Sequence, residues 1–489
     1  MTQAEALAVL KTGANVFLTG EPGSGKTHTV NSYVAWLRSR GIEPAITAST
    51  GIAATHIGGY TIHSWAGIGV RQYLSAYDLD TISQNKGVVT RIMGVGVLII
   101  DEVSMLSASV LSMVEAVCRE VRRDSRPFGG LQVVFVGDFF QLPPVKNRPD
   151  QDAGRSGFGR GRKQGPPAGG EDQEVLFENA ADGAGEGSGD FAFDSPAWAR
   201  AKPFVCYLSE QHRQEDAGFL GLLSAIRRDA VDEDHKNLLR KRYARAPKKG
   251  VTQLYSHNLD VDRINMGELQ KLSDESKTFT MVSHGPEKLV AGLKRGCLSP
   301  EVLQLKVGAK VMFTKNDHVT HKFVNGTQGT VVGFMKDTGV PMVQNKAGKV
   351  LFADPVEWLL QEGGRVLASL EQVPLRLAWA MTVHKSQGMS LDEAYMDLSG
   401  AFEYGQGYVA LSRVRTLGGL SLAGLNEKAL QVHPSVLSKD AQFREQSEQV
   451  REAFEALSKR ELGEMEDAFV RAIGGKTHQE KEQEEAELE

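Results

Sequence analysis

The chain has 489 residues, 41% of them hydrophobic and 24% charged, with a formal net charge of −5. That length exceeds one ordinary domain, and the balance is that of a globular protein, excluding a disordered or fibrous chain. Cys118, Cys206 and Cys297 stand too far apart for a metal-ligand spacing or a disulfide framework and fit a reducing cytosol. No N-terminal signal pattern and no apolar run long enough to span a membrane are found, so the expectation is a cytoplasmic protein with no membrane partner. The charge is uneven. Residues 440–489 carry 15 acidic and 7 basic side chains, a balance of −8, which leaves the preceding body at +3 and compatible with DNA.

In chain order, Asn15–Thr19 reads as a buried strand and Thr27–Arg40 as a helix. Between them stands Gly20-Glu21-Pro22-Gly23-Ser24-Gly25-Lys26-Thr27, which fits the P-loop pattern. Its glycines let successive backbone N–H groups turn toward phosphate, Lys26 reaches the β- and γ-phosphates of ATP, and the Thr27 hydroxyl ligates Mg2+. Ala45–Ala48 and Val95–Ile100 are further strands, the latter ending on Asp101-Glu102. A strand-end acidic pair can cap a helix, but downstream of a P-loop it assigns Asp101 to magnesium and Glu102 to the attacking water. A helix is expected at Ser107–Arg123 and a strand at Leu131–Val136. Gly137 to Val145 follows, placing Gln141 beside the nucleotide, because strand C-termini converge on one crevice in such folds.

Residues 146–190 interrupt this pattern. Their Gly, Ala and Pro content predicts a flexible insertion, basic up to Lys163 and acidic after it. It reads as a solvated loop with its charges paired off, the alternative being a Gly-Arg contact with nucleic-acid backbone. Strands recur at Thr252–Tyr255 and Glu393–Leu398, so the fold class is α/β, a doubly wound parallel sheet repeated in two halves.

The strings Ala48–Ala54, Thr61–Ser64, Asp101–Met105, Gly137–Val145, Phe193–Trp198, Leu208–Gln214, Val324–Thr327, Val383–Gly388 and Gly407–Arg413 occur in one order along the chain. With the P-loop they resemble the petite integration frequency (PIF-type) family of superfamily-one DNA helicases over most of residues 1–425. Leu106–Gly130, ending Arg126-Pro127-Phe128-Gly129-Gly130, resembles the stretch that separates this family from RecD-type helicases. The resemblance implies two RecA-like domains, at 1–205 and 206–426. Small subdomains are expected within them: a wedge at 67–91 and an SH3-like β-barrel at 329–373. An acidic helical or disordered tail, read chiefly as an aid to solubility, is expected at 427–489.

The resemblance also assigns residues. Arg213 and Arg413 would reach the γ-phosphate from the second domain, and Gln3 would read adenine. Thr50, His63, Thr382 and His384 would contact single-stranded DNA, though each of these could equally cap its own backbone. Trp65 is either a base-stacking ring or a core residue. The implied activity is ATP-dependent, 5′-to-3′ DNA unwinding in genome maintenance, extending to G-quadruplexes and DNA–RNA hybrids. Forked or structured DNA would be the partner of a monomer or a DNA-induced dimer, nucleoid-associated in a bacterial or phage setting. Two alternatives stay open: a RecD-type subunit of a nuclease complex, and a non-motor P-loop ATPase switch.

Overall fold

The computed structural model describes every residue except 51–52, 55–59, 70, 72, 145–190, 211–215, 249, 316–321, 324–325, 346, 363–364, 388, 478–479 and 481–489. Arg213 and the 146–190 insertion therefore lie outside the described residues.

Six strands build the first sheet: β1 (Val16–Gly20), β2 (Ala45–Ala48), β3 (Tyr60–Thr61), β4 (Val97–Asp101), β5 (Gln132–Val136) and β6 (Phe204–Leu208). All pair in parallel, in the order β3-β2-β4-β5-β1-β6. Strands covered by helices on both faces must be apolar throughout, and β1 and β5 are buried at every position. The crossing helices Lys26–Ser39 and Ala108–Arg122 lie within a residue of their expected spans. After the second of these the chain turns through Pro127–Gly130, where Phe128 takes a left-handed φ of 52° with its ring buried beside Phe135. Within the expected wedge, helices Ala76–Ser83 and Lys86–Met93 pack on Ala108–Arg122.

A second parallel sheet opens with β7 (Thr252–Tyr255). The chain then leaves it for an antiparallel module. Its strands are β8 (Lys277–Thr280), β9 (Val282–His284), β10 (Val302–Leu305), β11 (Lys310–Phe313), β12 (Gln328–Phe334), β13 (Pro341–Asn345), β14 (Val350–Phe352), β15 (Val356–Glu362), β16 (Arg365–Gln372) and β17 (Leu375–Leu377). They form a five-stranded sheet β14-β13-β12-β11-β17, which shares with the pair β10-β8 a separate apolar core that includes Leu305, Phe313, Val331 and Val343, and a three-stranded sheet β15-β16-β9. The module begins well before residue 329, because β8 and β9 are nearly all exposed and carry no apolar alternation. The chain returns with β18 (Ala380–Thr382), β19 (Ala394–Leu398) and β20 (Leu420–Leu425), giving parallel order β18-β7-β19-β20.

The acidic end of the chain takes the helical form of the two expected, but it is packed against the body rather than solvated. Helices Pro434–Glu455 and Lys459–Ala472 fold back onto the first sheet. Phe443 is buried with its ring 5.1 Å from Phe17 and stacked on Phe139, and Ser447 Oγ accepts the Tyr207 N–H at 2.9 Å. Val470 is buried in the core on the other face of that sheet. The averaged charge conceals this, because among the described residues of the two helices most acidic side chains are exposed, Asp440 being turned inward. Phe443→Ala is expected to lower the unfolding free energy by about 3–5 kcal/mol, measured by urea denaturation; a solubility tail would show no change.

Candidate nucleotide site in the interdomain cleft

β1 ends at Gly20 and the next helix starts at Lys26, so the P-loop sits at the C-terminal edge of the sheet. Gly25 caps that helix at φ 89°, and a Cβ there would lie 2.1 Å from Gln3 Nε2. Only glycine combines that backbone with that approach. Gln3 is thus brought onto the loop, where its Nε2 donates to the Ser24 carbonyl at 3.4 Å. With no side chain capping the helix, its first N–H groups are left for an anion. The Lys26 ammonium lies inside the loop, donating to the carbonyls of Gly20 at 2.8 Å and Glu21 at 3.1 Å. Ser24 is fully buried and its Oγ has no hydrogen-bond partner among the described residues. An unmet buried hydroxyl costs about 1–3 kcal/mol, and a phosphate oxygen seated in the loop would meet it. Gly23 lines the same turn, and Thr27 is exposed in the first turn of the helix.

β4 delivers the acidic pair to the same edge. Glu102 takes a left-handed backbone (φ 52°, ψ 44°), and its N–H donates to Asp101 Oδ1 at 2.9 Å. Such strain in a non-glycine residue persists where surrounding contacts enforce it; here Ser49 Oγ donates to the Glu102 carbonyl at 2.7 Å. Both residues keep some exposure along the cleft, yet their carboxyls are crowded by protein. Burial raises Asp101 above the usual carboxylate range, against the Glu102 N–H and the Lys26 charge. Burial, then Asp101, pushes Glu102 up to about 7, against Lys26 and Arg413. The oxygen donors Thr27 and Asp101 suit Mg2+, which takes one or two protein ligands and completes its shell with water and phosphate.

The second sheet supplies the far wall. Gln387, just past β18, donates from Nε2 to Glu102 Oε2 at 3.0 Å. Arg413 is 1% exposed, and its guanidinium donates to the Val409 and Met389 carbonyls and to Ser412 Oγ while its charge acts on Glu102. Gln141 is nearly buried, its Nε2 3.4 Å from Asp138 Oδ2. Lys26, Asp101, Glu102 and Arg413 therefore share one cleft, and Gln141 stands on the loop that follows the neighbouring strand β5.

The four candidate DNA residues make local contacts of their own. Thr50 Oγ1 accepts the Ala53 N–H at 3.2 Å and Thr382 Oγ1 the Lys385 N–H at 3.3 Å, so both cap their own backbone. His63 is half-buried, and burial lowers its pKa. His384 Nε2 lies 3.3 Å from Glu403. Trp65 is buried in the core, which removes it as a stacking ring.

A family model described as PIF1-like helicase matches residues 2–155, and one for the 2B domain of DNA helicase Pif1 matches residues 288–334. The ATP-dependent DNA helicase Pif1 of Psychrobacter sp. (strain PRwf-1) is 40% identical over 97% of this chain and 75% of its own length. The chain belongs to the PIF1-like helicase family. The Homo sapiens ATP-dependent DNA helicase PIF1 is 36% identical over 89% of this chain, which spans 62% of that protein. The crystal structure of Candida albicans Pif1 helicase matches with TM-score 0.71 at 31% identity, over 90% of this chain and 98% of that one. That of Bacteroides sp. Pif1 in complex with ADP-AlF4 matches with TM-score 0.71 at 28% identity, over 91% and 96%. The Bacteroides protein has also been solved bound to single-stranded DNA. A further matching structure, TM-score 0.63 at 28% identity over 91% and 96%, concerns unwinding at forked DNA by two coordinating Pif1 helicases.

Against that family, the two parallel sheets are the RecA-like pair, with the P-loop at the C-terminal edge of the first. Among the described residues no helix is long and apolar enough to cross a membrane. Gln387 carries no role in the sequence reading, although it lies within the string Val383–Gly388, and neither does Arg227, which lies in no motif and is buried against Asp138.

The raised pKa of Glu102 has a consequence for the nucleotide-free protein in EDTA. An unfolded glutamate ionises near 4.5 and the folded one near 7, so the folded state carries a growing penalty as pH rises between them. Glu102→Gln removes that penalty, and should raise the thermal midpoint relative to wild type at pH 8 but not at pH 4. Equal differences at both pH values would show that Glu102 titrates normally.

Proposed function

We propose that this chain is an ATP-dependent DNA helicase that moves 5′ to 3′ along single-stranded DNA and opens the duplex ahead of it. The observation that carries the reading is the hydrogen bond from Gln387 to Glu102 at 3.0 Å, which joins the catalytic carboxylate of the first sheet to the second. A binding switch does not need its hydrolytic group held by a second domain, whereas a motor must couple hydrolysis to domain position.

In this reading Gln3 holds adenine, Gly20, Gly23, Ser24 and Gly25 wrap the phosphates, and Lys26 turns from its loop carbonyls to the β- and γ-oxygens. Thr27 and Asp101 hold Mg2+, which supplies charge neutralisation at the phosphates when bound. Glu102 orients the attacking water, with Lys26 and Arg413 limiting the rise that burial and Asp101 impose on it. Gln141 senses the γ-phosphate, and Arg413 and Arg213 approach it when the domains close, a contribution worth about 10³–10⁵ in rate for such arginines. Thr50, His63, Thr382 and His384 contact the DNA backbone. A threonine oxygen that accepts a backbone N–H still has its own O–H to donate to phosphate, so capping does not disqualify Thr50 or Thr382. Separating a base pair costs about 1.4 kcal/mol of stacking, well within one ATP per small step. Forked and structured DNA, including G-quadruplexes and DNA–RNA hybrids, are the proposed substrates inside the cell. The working unit is a monomer to which DNA can add a second copy.

Lys26→Ala is expected to abolish DNA-stimulated ATPase and unwinding while far-ultraviolet circular dichroism stays unchanged; an active variant would sink the reading. Strand displacement on partial duplexes with a 5′ or a 3′ single-stranded tail tests direction. Opening only from the 5′ tail is the expected result, and opening only from the 3′ tail would reverse the polarity.

A further inference from the structure

Arg227 ends the helix Ala217–Arg227 and is 2% exposed. Its Nη1 donates to both carboxylate oxygens of Asp138 at 2.8 Å and to the Tyr408 hydroxyl at 2.9 Å, and its Nη2 to the Tyr207 hydroxyl at 2.6 Å. The guanidinium lies 4.1 Å from the Phe140 ring centroid, with Asp440 of the C-terminal helix at 3.8 Å. The Nε alone has no hydrogen-bond partner among the described residues, and Glu21 of the P-loop stands 4.0 Å from it. A buried ion pair is weak evidence for stability, because desolvation offsets its attraction. What is particular here is where the partners lead. Asp138 also receives Gln141 Nε2 and the Phe140 N–H, so it sets the loop that carries Gln141. Tyr408 lies on the helix Gln406–Leu411, two residues beyond whose end stands Arg413. The start of that helix abuts the same loop: a Cβ on Gly405 would lie 2.5 Å from the carbonyl oxygens of Phe140 and Gln141.

We propose that Arg227 is a positioning residue of the ATPase, clamping the helix that leads into Arg413 to the Gln141 loop and poised to take the P-loop Glu21 as a further partner. The inference rests on the motor reading above. Its physical basis is the planar fork of arginine, which reaches Asp138 and both tyrosines at once; a lysine ammonium is a point charge and cannot. A shift of about 1 Å at the P-loop would bring Glu21 into hydrogen-bond range of Nε. The nucleotide loop, the γ-phosphate-sensing loop and the arginine helix would then share one cation.

The test is steady-state ATPase on single-stranded DNA for Arg227→Lys, Arg227→Gln and Tyr408→Phe, with Arg227→Gln also combined with Arg413→Ala. Both Arg227 variants should lose about 10–100-fold in kcat, the kinetic equivalent of one or two charge-assisted hydrogen bonds, with KM for ATP changed less than about threefold. On the Arg413→Ala background Arg227→Gln should cost less than about threefold more, because both changes disable one device. Tyr408→Phe keeps the ring and removes one bond, so it remains informative if the Arg227 variants misfold, and should lose about 3–10-fold in kcat. Wild-type kcat in a folded Arg227 variant or in Tyr408→Phe, or losses that multiply in the double variant, would overturn the assignment. Wild-type protein lacking DNA-stimulated turnover would instead overturn the motor reading beneath it.

Discussion

Two adjacent carboxyls at the end of a buried strand set the terms for everything around them. Burial raises the cost of ionising both Asp101 and Glu102, and Asp101 adds to it for Glu102, so they need positive charge and donors close by. One sheet cannot supply all of these. Lys26 answers from the P-loop, while Gln387 and Arg413 answer from the second sheet. The charge state of the pair therefore depends on how the two sheets face each other, which is the property a nucleotide-driven motor exploits.

Parallel pairing makes the convergence possible. In the first sheet Gly20, Asp101 and the Gly137–Gln141 loop all emerge from strand C-termini, and β1, β5 and β4 stand side by side. In the second, β7 and β18 end at the same side, delivering the Val383–Gln387 segment to the cleft. The antiparallel module inserted between β7 and β18 keeps its own core, so it adds surface without disturbing that register.

The chain then closes on itself. One apolar cluster runs from Phe17 through Leu254, Met396 and Tyr408 to Phe443, so the sheets and the C-terminal helix share packing. Arg444 reinforces this from the C-terminal helix, donating to the same Tyr207 hydroxyl that Arg227 reaches. A segment whose composition reads as solvating acid is in fact the outer layer of the first sheet. Net charge averages over a helix, whereas burial selects one face.

Local chemistry was legible in the sequence wherever it depends on neighbours in the chain. The P-loop, the Asp101-Glu102 pair and strands such as β2 and β7 could be read because glycine backbone freedom, strand-end placement and apolar runs are local constraints. The short strands β8 and β9 could not, since exposed edges carry no apolar alternation. Nor could the buried station of Phe443, which depends on the path of the folded backbone. The order of motifs along the chain determined the family and its two-sheet plan. Only the tertiary structure decided that Gln387 meets Glu102 and that Arg227 joins Asp138, Tyr207 and Tyr408. Those contacts link residues up to 285 positions apart, and no spacing rule along the chain encodes a distance closed by packing.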